Sequence, residues 1–192
     1  MKWKRGLAGL LAVIAALLAG CGPARATPAQ IIFLRHAEKP DDGPELDARG
    51  RTRAAALVQL FTHDPRALEH GPAAAIFAMK PAKAGGSVRA IQTIEPTARA
   101  LGLKVDASFA RDEIKALVKA INANPSLDGK TVIVCWEHDA IPDMLPAFGW
   151  QRGPKRWPDK IYDRLWVLDF EHGAPVRFRD LPQHLLPGDR AK

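Results

Sequence analysis

The chain has 192 residues with 28 lysines and arginines against 21 acids, a formal net charge of +7, and an apolar fraction of 47%. Length and apolar content fit one ordinary domain with a proper core. The absence of a long basic run or of aromatic-basic interleaving argues against nucleic acid as a partner, while a mildly basic surface suits small anionic substrates.

Lys2, Lys4 and Arg5 open the chain, and Gly6 to Leu18 is an apolar run made mostly of Leu and Ala. About 20 apolar residues are needed to span a bilayer, so the run reads as a secretory signal peptide instead. Leu18-Ala19-Gly20-Cys21 places small residues immediately before a cysteine. The segment 1–21 resembles a bacterial lipoprotein signal. That resemblance implies cleavage before Cys21, a lipid on its thiol, and an extracytoplasmic domain anchored to a membrane on the periplasmic or cell-surface side. An ordinary cleavable signal ending near Ala24–Ala26 is the alternative. Residues 22–29, with two prolines and several small residues, read as a linker. The domain is expected over 30–186, with a flexible tail over 187–192.

Gln30 to Leu34 is an unbroken apolar run after its first residue, the pattern of a strand buried on both faces. It stops at Arg35-His36, ahead of a loop rich in Pro, Asp and Gly. Ala54, Leu57, Val58 and Phe61 share one helix face, in a helix from near Asp47 to before Pro65. Arg49, Arg51 and Arg53 crowd its first turns, where cations are unfavourable; a bound anion or a solvated face would each explain them. A strand follows over 73–79, then a flexible connection over 80–86.

Ser87 is the expected N-cap of a second helix that ends near Leu101 and carries Arg89 in its first turn. A brief strand over 103–105 and a third helix over 112–123 come next. Thr131 to Trp136 is another buried strand, and it ends in Glu137-His138-Asp139. Cys135 lies inside that apolar run and reads as an inert buried thiol. A short helix over 141–148, a loop to Ile161, and a closing hairpin around His172-Gly173 complete the domain.

Two buried strands thus each end in a histidine, His36 and His138. Ligands in open α/β sheets bind outside the carboxyl ends of strands. Convergence there with Arg35 and Arg89 would gather two guanidiniums and two imidazoles, a cluster that calls for an anion. Guanidinium forks match phosphate oxygens in geometry and charge. Nearby cations lower an imidazole pKa and keep it neutral and nucleophilic. His36, beside Arg35, is the better nucleophile for in-line attack on phosphorus, and the leaving alkoxide needs a carboxylic acid.

Leu34-Arg35-His36-Ala37-Glu38, the Leu46-Asp47 to Arg53-Ala54 helix start, Ser87-Val88-Arg89-Ala90-Ile91-Gln92-Thr93 and the late His138 occur in that order. Together they resemble the histidine phosphatase (phosphoglycerate mutase-like) superfamily over about residues 30–148. The resemblance implies a three-layer α/β/α sandwich with a mostly parallel sheet. It makes His36 the phosphorylated nucleophile, Arg35, Arg89 and His138 the phosphate pocket, and requires no metal. The acid is read as Asp139, by analogy with the branch that has His-Asp at the second histidine, with Asp112 or Glu113, by position in the other branch, as the alternative. Glu38 reads as an orienting or substrate-facing residue. The expected activity is a phosphomonoesterase acting on a small phosphorylated substrate. A non-catalytic phosphate- or phosphosugar-binding lipoprotein is the alternative, and a metal site on His36, Glu38, His138 and Asp139 is a third reading.

Overall fold

The computed structural model describes residues 27–190. The expected signal peptide and lipidation cysteine Cys21 lie outside the described residues. Among those described, no helix is long and apolar enough to cross a membrane.

Among the described residues six strands form one sheet: β1 (Gln30–Arg35), β2 (Ala73–Ala78), β3 (Val105–Asp106), β4 (Thr131–Trp136), β5 (Arg164–Glu171) and β6 (Ala174–Pro182). Their spatial order is β3-β2-β4-β1-β5-β6. β1 to β4 run parallel, and β5 and β6 are antiparallel additions at one side. Four helices are α1 (Ala48–His63), α2 (Arg89–Ala100), α3 (Ile114–Asn122) and α4 (Ile141–Ala147).

Side-chain alternation divides the core into two layers. Ile32, Leu34, Ile133 and Cys135 face Leu57, Leu60 and Phe61 of α1 and Ile94 and Ala98 of α2. Ile31, Phe33, Val132, Val134 and Trp136 face Leu117 and Ile121 of α3 and Met144 and Leu145 of α4. The fold is therefore the expected α/β/α sandwich. β1 and β4 are buried at every residue because they sit at the centre with helices on both faces, which is why they read as unbroken apolar runs.

Element ends differ from the sequence reading in small ways. Asp47 caps α1, its Oδ1 accepting from the Gly50 amide at 2.7 Å. Val88, not Ser87, stands at the α2 N-cap, with no side-chain cap bond. The chain reversal at His172-Gly173 has φ of 50° and 82°, the two left-handed residues that a tight hairpin requires. The domain's hold on the chain starts inside the expected linker: Gly129 donates to the Thr27 carbonyl at 3.0 Å and Phe170 to the Ala29 carbonyl at 2.9 Å.

Residues 189 and 190, within the expected tail, are bonded to the domain. Asp189 packs with its side chain only 4% exposed, bound to Arg53. The Arg190 amide donates to Asp163 at 2.7 Å. A buried carboxylate needs a partner, and Arg53 supplies one from the far end of the chain.

Candidate active site

β1 and β4 are neighbours in register, with Arg35 opposite Trp136. The His36 amide donates to the Trp136 carbonyl at 3.0 Å, so the two strand-end loops leave the sheet side by side. This puts Arg35-His36 and Glu137-His138-Asp139 at one edge. Thr93 of α2 fixes the first loop by accepting from the Ala37 amide at 2.8 Å.

A cavity of about 430 Å³ opens there, lined among others by His36, Lys80, Arg89, Arg111, Asp112 and Glu137. Trp136 anchors the Arg111–Asp112 segment over the strand ends, its indole N–H donating to the Arg111 carbonyl at 3.1 Å. Arg111 pairs with Glu137.

His36 is buried, and its Nδ1 lies 2.7 Å from the Ala37 carbonyl. A carbonyl only accepts, so Nδ1 carries the proton and Nε2 keeps its lone pair. Burial pushes the His36 pKa down to about 4, and the charges of Arg35, Arg89 and His138 push the same way against the Ala37 hydrogen bond. The sequence points to the cations as what keeps this ring neutral; desolvation is the larger cause.

Arg35 is buried under the Tyr162 ring, with its guanidinium carbon 3.9 Å from the ring centroid. Its Nη1 donates to the carbonyls of Asp159 and, at 3.2 Å, Ile161. Its Nε is buried without a partner in the described residues, an unsatisfied donor that an anion would meet. Desolvation lowers the Arg35 pKa, partly offset by Tyr162 and Asp159. Arg89 donates to the carbonyls of Gly43 and, at 3.2 Å, Glu45.

His138 has a buried Nδ1 with no partner in the described residues. Its Nε2 lies 3.3 Å from Asp139 and 3.6 Å from Asp159. Burial and Arg35 lower its pKa, while Asp139, Asp159 and Glu137 oppose them.

The three carboxylates read as candidate acids go to different places. Asp112 lines the cavity. Asp139 sits beside His138 with its side chain 56% exposed and is not among the lining residues. Glu113 accepts from the Ala110 amide at 2.7 Å, a local turn bond. Glu137, which nothing in the sequence pattern singles out as an acid, lines the cavity too.

Glu38 does not join His36 in a metal cluster. Its carboxylate is held by Arg53, with Nη2 at 2.8 Å, and by Arg49 at 3.1 Å. Of the α1 arginines, Arg53 and half-exposed Arg49 therefore hold an internal carboxylate, while exposed Arg51 donates to the Leu46 carbonyl at 2.6 Å. Cys135 is fully buried, which drives its thiol pKa up and makes it inert.

No family model matches the sequence, and no curated protein does. Solved structures do match its shape. A phosphoglycerate mutase from Bacillus anthracis superposes with a TM-score of 0.55 at 11% identity, covering 81% of this chain and 93% of that one. The fold is phosphoglycerate mutase-like. The protein histidine phosphatase SixA complexed with tungstate gives 0.54 at 12% identity, covering 80% and 97% of the two chains. A mycobacterial glucosyl-3-phosphoglycerate phosphatase with VO3 gives 0.53 at 14% identity, covering 80% and 98%.

Proposed function

We propose that this phosphoglycerate mutase-like protein is a phosphomonoesterase of the histidine phosphatase superfamily that works through a phosphohistidine on His36. The observation that carries the reading is His36 itself: a buried imidazole lining a cavity, with Nδ1 committed to the Ala37 carbonyl and Nε2 free. Tungstate in the SixA structure and VO3 in the mycobacterial one, each an oxyanion, support the same ligand class here.

In the proposed reaction Nε2 attacks phosphorus and the P–O ester bond breaks. Arg35, Arg89 and His138 stabilise charge on the equatorial oxygens. The departing alkoxide takes a proton from a carboxylic acid. Asp139, 3.3 Å from His138 Nε2, and Asp112, which lines the cavity with His36 and Arg89, are the candidate donors; Arg35 and His138, like Asp139, stand beside that cavity rather than in its lining. Water then attacks phosphorus and gives a proton to the carboxylate left by the first step, the P–N bond breaks, and His36 returns neutral while phosphate leaves. The substrate is a small phosphorylated molecule met outside the cytoplasm, with the domain tethered through a lipid on Cys21.

The test is turnover of p-nitrophenyl phosphate with rapid denaturation at alkaline pH to trap labelled phosphohistidine. Wild-type protein is expected to turn over and to trap label. His36→Ala is expected to lose both, by about 10⁴-fold or more in rate. Tight phosphate binding with no trapped label would favour the non-catalytic binding protein instead.

A further inference from the structure

The turn that presents His36 is clamped from two sides. On one, Thr93 takes the Ala37 amide. On the other, the Glu38 carbonyl accepts from Asp47 at 3.1 Å, and a Cβ built on Gly50 would come within 2.1 Å of that oxygen. The Glu38 side chain then enters a buried ionic network. Arg53 donates to both Glu38 oxygens and, from its other edge, to both oxygens of Asp189 at 2.7 and 3.0 Å. Arg53 is 2% exposed. Asp189 also accepts from the amides of Leu185 and Leu186 at 2.9 and 3.0 Å. Gln183, also buried, accepts from Arg53 Nη1 at 3.0 Å, and Arg49 donates to the Pro187 carbonyl at 2.9 Å.

A guanidinium gripped on one edge by Asp189 has little freedom on the other. Without Asp189, Arg53 would swing, and Glu38 would follow. Glu38 is two residues from His36, and the only residue between them is buried Ala37. Nothing in this network lines the His36 cavity, so its influence is on geometry.

We propose that Asp189 is a positioning residue for the catalytic turn: through Arg53 it fixes Glu38, which makes the segment 183–190 a strap that holds His36 in its attacking position. The consequence for turnover rests on the phosphatase reading above; the structural claim does not. The strap resembles a tail in sequence and acts as a brace in space.

The test compares Asp189→Asn and Asp189→Ala with Asp169→Asn, which cuts a similar arginine–carboxylate network at the opposite end of the sheet. Full-length chains are used, and folding is checked by circular dichroism. The readouts are steady-state turnover of p-nitrophenyl phosphate, tungstate affinity, and the His36 pKa by NMR. Asp189→Asn is expected to lower kcat by about 10- to 100-fold with KM within about twofold, since roughly an ångström of misplacement costs that much. Its His36 pKa should rise from about 4 toward 6.5 as the loosened turn admits water. Loss of the Asp189 charge alone would move that pKa downward, so the sign separates displacement from electrostatics. Tungstate affinity should fall with the turn. Asp169→Asn should leave all three at wild-type values.

Folded Asp189→Asn with wild-type turnover and tungstate affinity, and with a His36 pKa unchanged or lowered, would overturn the proposal. Should Asp189→Ala fail to fold, the near-isosteric Asn variant carries the decision. Should wild-type protein not turn over substrate, the phosphatase reading falls, while the His36 titration and tungstate binding still decide on the strap.

Discussion

The two ends of the central sheet carry the same kind of structure and serve different purposes. At the amino end of β1, Asp169 binds Gln30 at 3.0 Å, Arg177 at 2.7 Å and Arg179 at 3.0 Å, with His70 at 3.8 Å. At the carboxyl end, Arg53 binds Glu38 and Asp189. The first network joins strands that are already paired through their backbones. The second joins a loop to a terminal segment, neither of which belongs to a sheet or helix. A buried ion pair gives modest net stability because desolvation offsets attraction. Its proposed value at the carboxyl end is to add a side-chain hold to a turn already bonded through the Asp47 amide and Thr93.

The sharpest way to break this comparison is Arg53→Met. It removes the buried cation between Glu38 and Asp189 and leaves them only half-exposed Arg49, at 3.1 and 3.6 Å, and the expected loss is about 3–5 kcal/mol in urea unfolding. A loss no larger than that of Asp169→Asn would show the two networks to be equivalent. Asp169→Asn leaves two partly exposed arginines that water can serve, so its expected cost is smaller, about 1–3 kcal/mol.

Next in size is the pH response of the carboxyl end. His36 has a native pKa of about 4 against 6.5 when unfolded. The unfolded chain therefore binds a proton between those values and the native chain does not. Stability attributable to His36 is complete above pH 6.5 and is lost as pH falls toward 4, by roughly 3 kcal/mol. Urea titrations of wild type and His36→Asn from pH 7 to 4 should diverge by that amount. Equal slopes would show the ring to be solvated. Asp189 titrates in a lower window: burial opposes its ionisation, but Arg53 and two amides hold it to about 2 against an ordinary 3.8. Its contribution is present above about pH 4 and lost as pH falls toward 2.

The smallest effect expected is that of Gly50→Ala. Alanine is the better helix residue, yet the new Cβ would collide with the Glu38 carbonyl. A net cost of about 1–3 kcal/mol is expected by thermal melting, with reduced turnover because the same turn moves. A neutral or stabilising result would mean that the turn yields easily, against the strap.

Much of the architecture was legible in the sequence because central strands and amphipathic helices carry local patterns. The runs ending at Arg35-His36 and at Glu137-His138 are β1 and β4, and the stripe on α1 is buried at Ala54, Leu57 and Phe61. What the sequence concealed are pairings across distance. Arg53 and Asp189 stand 136 residues apart, and no local pattern distinguishes a solvated charge from one with a buried partner. Proline and charge near the terminus read as disorder for the same reason. Tyr162 and Asp159 reach the site only because β5 runs antiparallel to β1, a direction that the apolar pattern does not encode. The carboxylates end up in different surroundings, Asp112 lining the cavity and Asp139 beside His138, which spacing alone does not reveal.

That reversed strand has a practical corollary. β5 delivers its entrance, not its exit, to the edge that carries His36, so its far end at His172-Gly173 turns on the opposite side of the molecule. A fluorophore, an affinity handle or a surface-coupling group grafted onto that hairpin would report on or immobilise the protein from behind, leaving the mouth of the cavity clear.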